Sequence, residues 1–560
     1  MEVYVYMAAF ALLILFFAYQ SAMYKKRNRE KLEKKIKNSW GNIPDREYSS
    51  TEYERIRKYY DAIGAEKNVD DITWNDMGMD NIFMSINNTL SSIGEENLYN
   101  RLRTMDYSDE ELKEFDRVVS FFENNPDKAM ELQKYFAGIG RTKSISVYEF
   151  IHNLTGLGER RNTKHYLMAF GLLATIGWIF VSPPYGIVAM IIMVCINVIR
   201  YYRIKAEVEN YFVCCNYLVG VLLHGKSIAS VKNDELVKYN NEIMEICDKM
   251  SAVTKRTFLI SGDNMSGSIS EMLMEYIRIL FHVDLIKFND ILKKTITHLD
   301  DVDRLYEVIG YLESACAVAS YRVYLKKEYG YYCKPEFVGD KQIFAIDIYH
   351  PSIKNPVTNS INEKKGILLT GSNASGKSTF LKTIGINAIL SQTIYTCSGK
   401  EFSIKRSRVY SSMSLRDDLM NNESYYIVEI KALKRIIDAA KEGEEIICFV
   451  DEVLRGTNTV ERVSASTEIL KSFSDGKIEN VLCFAATHDI ELTHLLEKWY
   501  ANYHFEERIE NDDVIFNYKL NKGRATSRNA IQLLKVIGYD DDIINAARLR
   551  ADNFTKTGKY

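Results

Sequence analysis

The chain has 560 residues, 46% of them hydrophobic, which allows three or four domains with substantial cores at roughly 100–200 residues per domain. Its formal net charge of −3 excludes a global basic field that would draw the whole chain to nucleic acid, so any contact with DNA must be local. The nine cysteines contain no CxxC pair, which favours small buried side chains in a reducing compartment over a metal or disulfide role.

The N-terminal segment has the pattern of a membrane anchor. Residues 3–24 carry no charge, and a cluster of lysines and arginines follows from Lys25 to Lys37. A helix of this length spans a bilayer core of about 30 Å. The positive charge follows the apolar run, whereas it precedes the apolar run of a secretory signal. We therefore predict an uncleaved transmembrane anchor over residues 1–24, with Lys25 inside, and a basic linker over 25–48.

A second uncharged run covers residues 166–199, and Pro183 and Pro184 divide it. Because a tandem proline stops a helix, two helices joined by a tight turn are expected. Basic residues flank both ends, which predicts a transmembrane hairpin over residues 165–200 with both ends in the cytoplasm. The alternative is a hairpin buried in a soluble core, but such helices rarely lack polar residues on every side. The sequence thus predicts three spans, a multi-pass protein of the cell membrane, and a cytoplasmic location for everything after the hairpin.

The remaining regions differ in their pattern of apolar residues, prolines and glycines. Residues 49–164 and 201–331 are typical of the two parts of a helical core, and the second part has no proline before Pro335. From residue 332 onward, short apolar runs alternate with helix-like segments and glycine turns, which predicts a mostly parallel sheet with helices. The predicted strands are Gln342–Ile348, Gly366–Thr370, Glu445–Val450 and Val481–Ala486.

A phosphate-binding loop directly follows the second of these strands. The residues matching GxxxxGK[ST], between a strand and a helix, are Gly371, Ser372, Asn373, Ala374, Ser375, Gly376, Lys377, Ser378 and, one position on, Thr379. Backbone N–H groups and the helix N-terminus bind phosphate in such a loop. Lys377 is expected to reach the β- and γ-phosphates and Ser378 to ligate Mg²⁺. The predicted ligands are therefore ATP and Mg²⁺.

Two later strands end in polar residues that suit this loop. Asp451 and Glu452 end an apolar strand, and Thr487 and His488 follow the next one. We expect Asp451 to hold the metal and Glu452 to orient or deprotonate the attacking water. His488 is a candidate sensor of the γ-phosphate. Taken alone, the acids are also compatible with a solvated strand end and the histidine with an ordinary surface residue.

Together these motifs resemble the ATPase domain of the MutS family. The segments TGSNASGKST, DEVLRGTNT and ATHDIELT occur in that family's order and approximate spacing. The resemblance implies an α/β P-loop NTPase of the ABC/MutS type at residues 332–560, after an all-α lever and core, with C-terminal dimerisation helices. It also matches Asn373 to the P-loop asparagine and His488 to a switch histidine. Ser424 matches a serine that contacts the nucleotide of the other subunit, which implies an ATP-binding homodimer.

The chain also departs from that family. An N-terminal mismatch-reading domain has no counterpart, and the region around the predicted hairpin is short for a long DNA clamp. Leu454 replaces a family glycine, and Val357 stands where relatives use an aromatic side chain against adenine. These departures bear on mismatch recognition rather than on ATP hydrolysis.

Three functions are compatible with these features. The first is a membrane-anchored, MutS-like ATPase that dimerises and clamps mismatched or branched DNA, as in DNA repair. The second is the same ATPase acting on a protein or membrane partner without DNA. The third, an ABC transporter subunit, is disfavoured because no LSGGQ-like segment occurs and three short spans do not resemble a transport pathway. The family analogy favours the first.

Overall fold

A computed structural model describes the chain in several ranges, which are residues 2–158, 160–231, 233–254, 269–372, 375–413, 425–454, 457–474, 480–510, 513–525, 531, 534 and 538–557. The chain divides into two compact units. The helical unit comprises Met1–Gly64, Asn87–Asn100 and Arg117–Tyr321. The sheet unit comprises Ala65–Ile86, Arg101–Asp116 and Arg322–Tyr560.

The helical unit is built from α-helices and two short 3₁₀ turns, Asn153–Leu157 and Asp234–Leu236. Its own helices are Glu2–Ser39, Ser50–Ile63, Pro126–Ile139, Val147–His152, Thr163–Ile179, Pro183–Ala229, Val237–Lys249, Ser251–Thr254, Ile269–Phe281 and Val283–Thr297. Helices that contribute residues to both units are Ser92–Arg103, Asp109–Asn124 and Leu299–Tyr329. The prediction of a helical first part is confirmed.

Local sequence explains where these helices begin and end. The helix Ser50–Ile63 starts with a capping box, in which the Ser49 hydroxyl accepts from the backbone of Glu52 and the Glu52 side chain accepts from the backbone of Ser49. It ends at Gly64, whose φ of 62° a residue with a side chain rarely adopts.

The predicted hairpin is present as two packed helices, Thr163–Ile179 and Pro183–Ala229, and Pro183 begins the second of them. The second helix does not end near residue 200, as the sequence suggested, but continues to Ala229. Its large apolar side chains are mostly exposed, and 11% of its most apolar stretch is buried. A helix of a soluble core would be mostly buried, so this surface is unusual for a protein surrounded by water.

The prediction of three spans is supported for one helix. Among the described residues, Pro183–Ala229 is the helix that is long and apolar enough to cross a membrane. The helix Thr163–Ile179 is shorter, at 17 residues. At the start of Glu2–Ser39, most apolar side chains lie outside the described part of the chain. Length and composition therefore give weak support for a membrane location and none for a multi-pass arrangement.

Two of the fully buried glutamates of the helical unit, Glu96 and Glu313, have raised pKa values. Glu313 accepts hydrogen bonds from the N–H groups of Leu90 and Ser91 and from the Ser91 hydroxyl. Glu96 accepts a hydrogen bond from the hydroxyl of Tyr306. Burial raises the pKa of each carboxyl to about 7. Because the folded state binds these protons more tightly than the unfolded chain, this contribution to stability is lost as the pH rises from about 4.5 to about 7.

Replacing Glu313 with glutamine is expected to remove the Glu313 part of this pH dependence and to make the protein at least as stable as the native chain at pH 8. The amide oxygen still accepts from the Leu90 and Ser91 backbones, and the buried charge is removed. Alanine leaves both N–H groups unpaired and is expected to cost about 1–3 kcal/mol. Thermal unfolding in detergent at pH 5 and pH 8 measures both variants, with the exposed Glu307→Gln as control. A glutamine variant as unstable as the alanine variant at pH 8 contradicts this explanation.

The sheet unit contains two sheets, and the predicted order of alternating strands and helices is confirmed. A four-stranded sheet has the order β1-β5-β2-β3, and a six-stranded sheet has the order β10-β9-β4-β8-β7-β6. The strands are β1 Glu336–Phe337, β2 Ile343–Ile348, β3 Asn359–Glu363, β4 Gly366–Thr370, β5 Glu401–Ile404, β6 Arg408–Ser412, β7 Ile446–Asp451, β8 Val481–Ala486, β9 Tyr500–Glu510 and β10 Asp513–Lys522. The helices wholly within this unit are Asp71–Met77, Met79–Ile86, Lys377–Thr393, Tyr425–Lys441, Thr459–Ser472, Ile490–Leu495 and Asp541–Thr557.

The larger sheet brings the candidate residues to one edge. Strands β9, β4, β8, β7 and β6 are parallel neighbours, and β10 pairs antiparallel with β9. The central strands β4 and β8 are buried along their whole length, as expected for a parallel sheet with both faces covered. The carboxyl ends of β4, β7 and β8 therefore meet at the same edge, which is where ligands bind in open α/β sheets.

An early segment of the chain packs on the last strand of this sheet. The side chain of Asp76, in the helix Asp71–Met77, accepts from the Ser411 hydroxyl at 2.7 Å and from the Met413 backbone at 2.9 Å. Arg435 joins the same contact, because it donates to Asp70 at 2.9 Å and to the Ser411 carbonyl at 2.8 Å. These bonds fix the carboxyl end of β6.

Candidate nucleotide site

The loop after β4 has the backbone geometry that its glycines permit. Gly371 and Gly376 adopt φ values of 147° and 109°, which favour glycine. A Cβ added to Gly371 would lie 2.9 Å from the carbonyl of Phe505 and from the hydroxyl of Ser375. The helix Lys377–Thr393 begins immediately after Gly376. Its first N–H groups and its dipole therefore face the mouth of the loop, where an anion is stabilised.

Lys377 lies inside this loop. Its ammonium group donates to the carbonyls of Gly371 and Ser372, each at 2.9 Å, and lies 3.4 Å from Nε2 of His488. The residue is 5% exposed. A buried ammonium group at the centre of a glycine loop is well placed to bind phosphate oxygens.

Ser378 and Asp451 meet beside the lysine. The hydroxyl of Ser378 donates to Oδ2 of Asp451 at 2.5 Å. Within the described part of the chain, Oδ1 of Asp451 and the hydroxyl of Ser375 are buried and have no hydrogen-bond partner. A hydroxyl and a carboxylate with an unsatisfied oxygen are ligands that Mg²⁺ prefers, and the cation usually completes its shell with water and phosphate oxygens. These residues fit a magnesium ion.

Glu452 and His488 contact one another next to Lys377. Nε2 of His488 lies 2.9 Å from Oε1 of Glu452, so the histidine lies between this carboxylate and Lys377. Glu452 has a φ of 58°, an uncommon conformation for a residue with a side chain, and its N–H donates to the carbonyl of Ala486 at 2.9 Å. Residues held in such conformations cluster at functional sites.

The loop after β7 explains one departure from the family. Leu454 has a φ of 59°, the region that a glycine adopts without strain, and its N–H donates to the buried carboxylate of Glu429. The left-handed conformation costs a leucine about 1–2 kcal/mol. Burial of the side chain offsets this cost, because Leu454 is packed in the core of the sheet unit.

A neighbouring ion pair fixes the segment after β8. Arg462, in the helix Thr459–Ser472, donates to both carboxylate oxygens of Asp489 at 2.9 and 2.6 Å. Asp489 directly follows His488. The bidentate contact therefore restrains the backbone that carries the histidine. Arg462 was not among the predicted site residues, and its contact gives it a positioning role.

A cavity of about 630 Å³ opens beside the loop, a size typical of a small-molecule site. Residues from Ser375 to Phe380 line one part of it, and Val357, His350, Phe505 and Tyr518 line others. Burial lowers the pKa of His350 to about 4, so this side chain is neutral at physiological pH. The cavity that Val357 lines also contains the aromatic ring of Tyr518, which lies against Gly376.

Some of the predicted site residues lie outside the described part of the chain, namely Asn373, Ala374 and Ser424. The other predicted residues, from Gly371 to Thr379 and at Asp451, Glu452 and His488, lie at one edge of the sheet. The predicted site residues did not include Tyr518, Asp489 or Glu507, whose carboxylate accepts from Ser372 at 3.0 Å. Tyr518 and Glu507 lie on the last two strands, outside the segments that resemble family motifs.

A parallel sheet, a glycine loop with a buried lysine, and acids at the end of another strand of the same sheet define a P-loop nucleotide-binding domain. Residues 367–555 match MutS domain V. The C-terminal domain of the chain is therefore similar to the corresponding domain of the MutS family.

Several curated proteins are similar to a part of this chain. The chain is 30% identical over 244 residues to the DNA mismatch repair protein MutS of Pseudothermotoga lettingae, which covers 41% of this chain and 29% of that protein. Against the DNA mismatch repair protein MutS of Thermosipho melanesiensis the identity is 24% over 312 residues, or 53% of this chain and 36% of that protein. The chain is 28% identical over 233 residues to the DNA mismatch repair protein MutS of Clostridium beijerinckii, which covers 39% of this chain and 25% of that protein. The chain thus spans between a quarter and about a third of these curated relatives.

Proposed function

We propose that the sheet unit hydrolyses ATP. The observation that carries this proposal is the group formed by Lys377, Ser378, Asp451, Glu452 and His488 at one sheet edge. Bound Mg²⁺ would neutralise phosphate charge, and Ser378 and Asp451 are the residues that would hold it. Lys377 binds the phosphate oxygens. Glu452 accepts the proton of the attacking water, and His488 keeps the Glu452 carboxylate oriented.

We propose that Tyr518 packs against the base of the nucleotide. The ring lines the same cavity as the loop and is 44% exposed. Replacing Tyr518 with alanine is expected to raise the KM for ATP about 5–100-fold, because base–aromatic stacking contributes roughly 1–3 kcal/mol. The kcat is expected to change little, since the phosphate-binding residues remain.

Steady-state kinetics with ATP and GTP measure this effect. Tyr518→Phe keeps the ring and is expected to restore the native KM, whereas Phe516→Ala removes a neighbouring ring of β10 that does not line the cavity. An alanine variant with the native KM, or a phenylalanine variant as weak as alanine, rules out stacking by Tyr518.

We further propose that two chains dimerise when ATP is bound. The support is the family resemblance, which places Ser424 at the nucleotide of the partner subunit. In this arrangement a second chain would contact the outer side of the phosphates, and a two-fold pair of identical chains would bury two nucleotides. The mass of the protein in detergent, with and without Mg-ATP, tests dimerisation. A Ser424→Arg variant that still dimerises and hydrolyses ATP normally would exclude this arrangement.

We propose DNA as the substrate of the ATPase, because the relatives are named DNA mismatch repair proteins. The alternative is a protein or membrane partner without mismatch recognition, and the exposed apolar hairpin favours a membrane setting. Binding to homoduplex, mismatched and branched DNA over a salt series distinguishes the two. Specific DNA binding requires a preference among these DNAs that persists at physiological salt, whereas purely electrostatic binding falls steeply with salt.

We propose that the helices Thr163–Ile179 and Pro183–Ala229 insert into the cell membrane as a hairpin with the ATPase in the cytoplasm. The support is the exposed apolar surface, which includes Phe170, Trp178, Ile191 and Ile196. Moving such side chains from water into lipid favours insertion of the hairpin, since each fully buried large apolar side chain contributes about 1.5–3 kcal/mol of favourable free energy. The additional span at residues 1–24 stays a prediction from the sequence.

The orientation of this hairpin can be tested by labelling. Cysteine at Ser182, in the turn, is expected to react with an impermeant maleimide added to intact cells, and cysteine at Ser39 is not. Both are introduced after Cys195→Ser, because Cys195 is exposed on the hairpin. Permeabilised cells provide the control, in which both positions react. If the cysteine at Ser39 is labelled in intact cells and the cysteine at Ser182 is protected, the topology is the reverse of the one proposed.

A further inference from the structure

Two cysteines of the sheet unit face each other in a short antiparallel bridge. Cys333 follows the helix Leu299–Tyr329, and Cys397 follows the phosphate-loop helix Lys377–Thr393. The N–H of Cys333 donates to the carbonyl of Cys397 at 2.9 Å, and the reciprocal bond is 2.8 Å. A pair of residues that exchanges both bonds has its Cα atoms about 5.5 Å apart, which lies within the range of about 4.4–6.8 Å found across disulfides.

The two cysteines are direct partners in this bridge, and the Cys333 thiol is one of the groups that raise the pKa of Cys397. Surrounding bonds hold the two segments in place. Arg322 donates to the hydroxyl of Thr396 and to the carbonyl of Tyr395, both at 2.9 Å, and Ser398 donates its N–H to the side chain of Asn387. A bond between the two sulfurs therefore needs little movement of the backbone.

The two thiols differ in access. Cys333 is partly exposed, whereas Cys397 is fully buried and its thiol packs toward the carbonyl of Asn387. Burial raises the pKa of the Cys397 thiol well above its usual range. Thiolates are the attacking species in disulfide exchange, so the exposed Cys333 reacts first and Cys397 second.

We propose that Cys333 and Cys397 are a redox modification site that forms a reversible intramolecular disulfide. The oxidant is a low-molecular-weight disulfide of the glutathione type. The Cys333 thiolate attacks it, a mixed disulfide forms, and one small thiol leaves. Cys397 then loses its proton and attacks the Cys333 sulfur, which releases the second small thiol. The protein loses two electrons and two protons, and the oxidant is reduced to two thiols.

The bond would tie the end of the phosphate-loop helix to the segment that follows Leu299–Tyr329. A second facing pair provides an internal comparison. Cys448 on β7 is in register with Cys483 on β8, and their thiols also interact, but both side chains are fully buried in the sheet. The two thiols of this pair are close to one another, but an oxidant in solution cannot reach them. We therefore expect the pair to stay reduced while the protein is folded.

The full-length chain carrying Cys195→Ser, purified in detergent, is incubated with excess oxidised glutathione, alkylated, and digested without reduction. We expect a linked pair of peptides containing Cys333 and Cys397, lighter by two hydrogens than the separate peptides. Dithiothreitol is expected to release them. Cys448 and Cys483 are expected to become alkylated only after unfolding. A Cys333 recovered as a free thiol or as a stable mixed disulfide, with no linked peptide, would overturn the proposal.

Two variants test the order of attack. In Cys397→Ser, the mixed disulfide between Cys333 and glutathione is expected to accumulate, because the resolving thiol is absent. In Cys333→Ser, Cys397 is expected to stay unmodified. Modification of Cys397 to the same extent in the absence of Cys333 contradicts the assigned order. All of these outcomes are read from peptide masses, so they do not depend on whether the sheet unit hydrolyses ATP.

Discussion

Replacement of Lys377 with alanine is expected to lower ATP turnover by about 10²–10³-fold, the effect of removing one preorganised group that stabilises developing charge. The ammonium group lies inside the loop, held by two carbonyls, and a phosphate oxygen would replace part of these contacts. Alanine leaves the glycine loop and the helix N-terminus in place. Nucleotide binding is therefore expected to weaken but not to disappear.

Phosphate release and fluorescent-nucleotide binding measure the two effects separately. Lys365→Ala is the matched control, because it removes the same charge from an exposed position directly before β4. Thermal unfolding should be similar in both variants, which separates loss of catalysis from loss of fold. If the Lys377 variant hydrolyses ATP at the rate of the control, this loop is not the catalytic site and the ATPase proposal is wrong.

The sheet unit was the part most accessible to prediction. Strand–loop–helix geometry follows from glycines at positions where other residues would be strained, and the apolar runs around Ile367, Phe449 and Phe484 can only be buried strands. Lys377, Asp451 and His488 each follow a strand, so their meeting at the carboxyl edge of a parallel sheet was predictable. The order of the strands was not, because β8 lies between β4 and β7 although it follows both in the chain.

Contacts between distant segments could not be predicted. The pairing of Arg462 with Asp489 depends on how a helix packs, and the position of Tyr518 depends on the antiparallel return of β10. Neither has a local pattern in the sequence. The docking of Asp76 against Ser411 joins residues 335 positions apart, and the single residue types involved occur throughout the chain. Such contacts arise from tertiary structure and leave no periodic signal.

The long second helix of the hairpin illustrates the same limit. The charges after residue 199 predicted where a span should end, and they are compatible with a helix that leaves the apolar region and continues in water. Nothing between Pro184 and Ala229 stops a helix, since that stretch contains no further proline. The charge pattern therefore did not predict where the helix ends, and the membrane boundary stays a prediction.

Replacement of Glu452 with glutamine is expected to lower the kcat of ATP hydrolysis by about 10²–10⁴-fold, the usual contribution of a general base. The amide has the size of the carboxyl group and can still contact His488, but it cannot accept the proton of the attacking water. Lys377, Ser378 and Asp451 are untouched, so the KM for ATP is expected to change little. This split between kcat and KM distinguishes loss of the base from loss of the binding site.

The same variant is suited to the test of dimerisation, because ATP should remain bound. Its mass in detergent is expected to double on addition of Mg-ATP, and Lys377→Ala should stay monomeric under the same conditions. Glu442→Gln is the matched control, since it removes the same charge from an exposed position before β7, at the opposite end of that strand from Glu452. If Glu452→Gln hydrolyses ATP at the rate of this control, the base is another group. If it traps ATP and stays a monomer, the nucleotide site is complete within one chain.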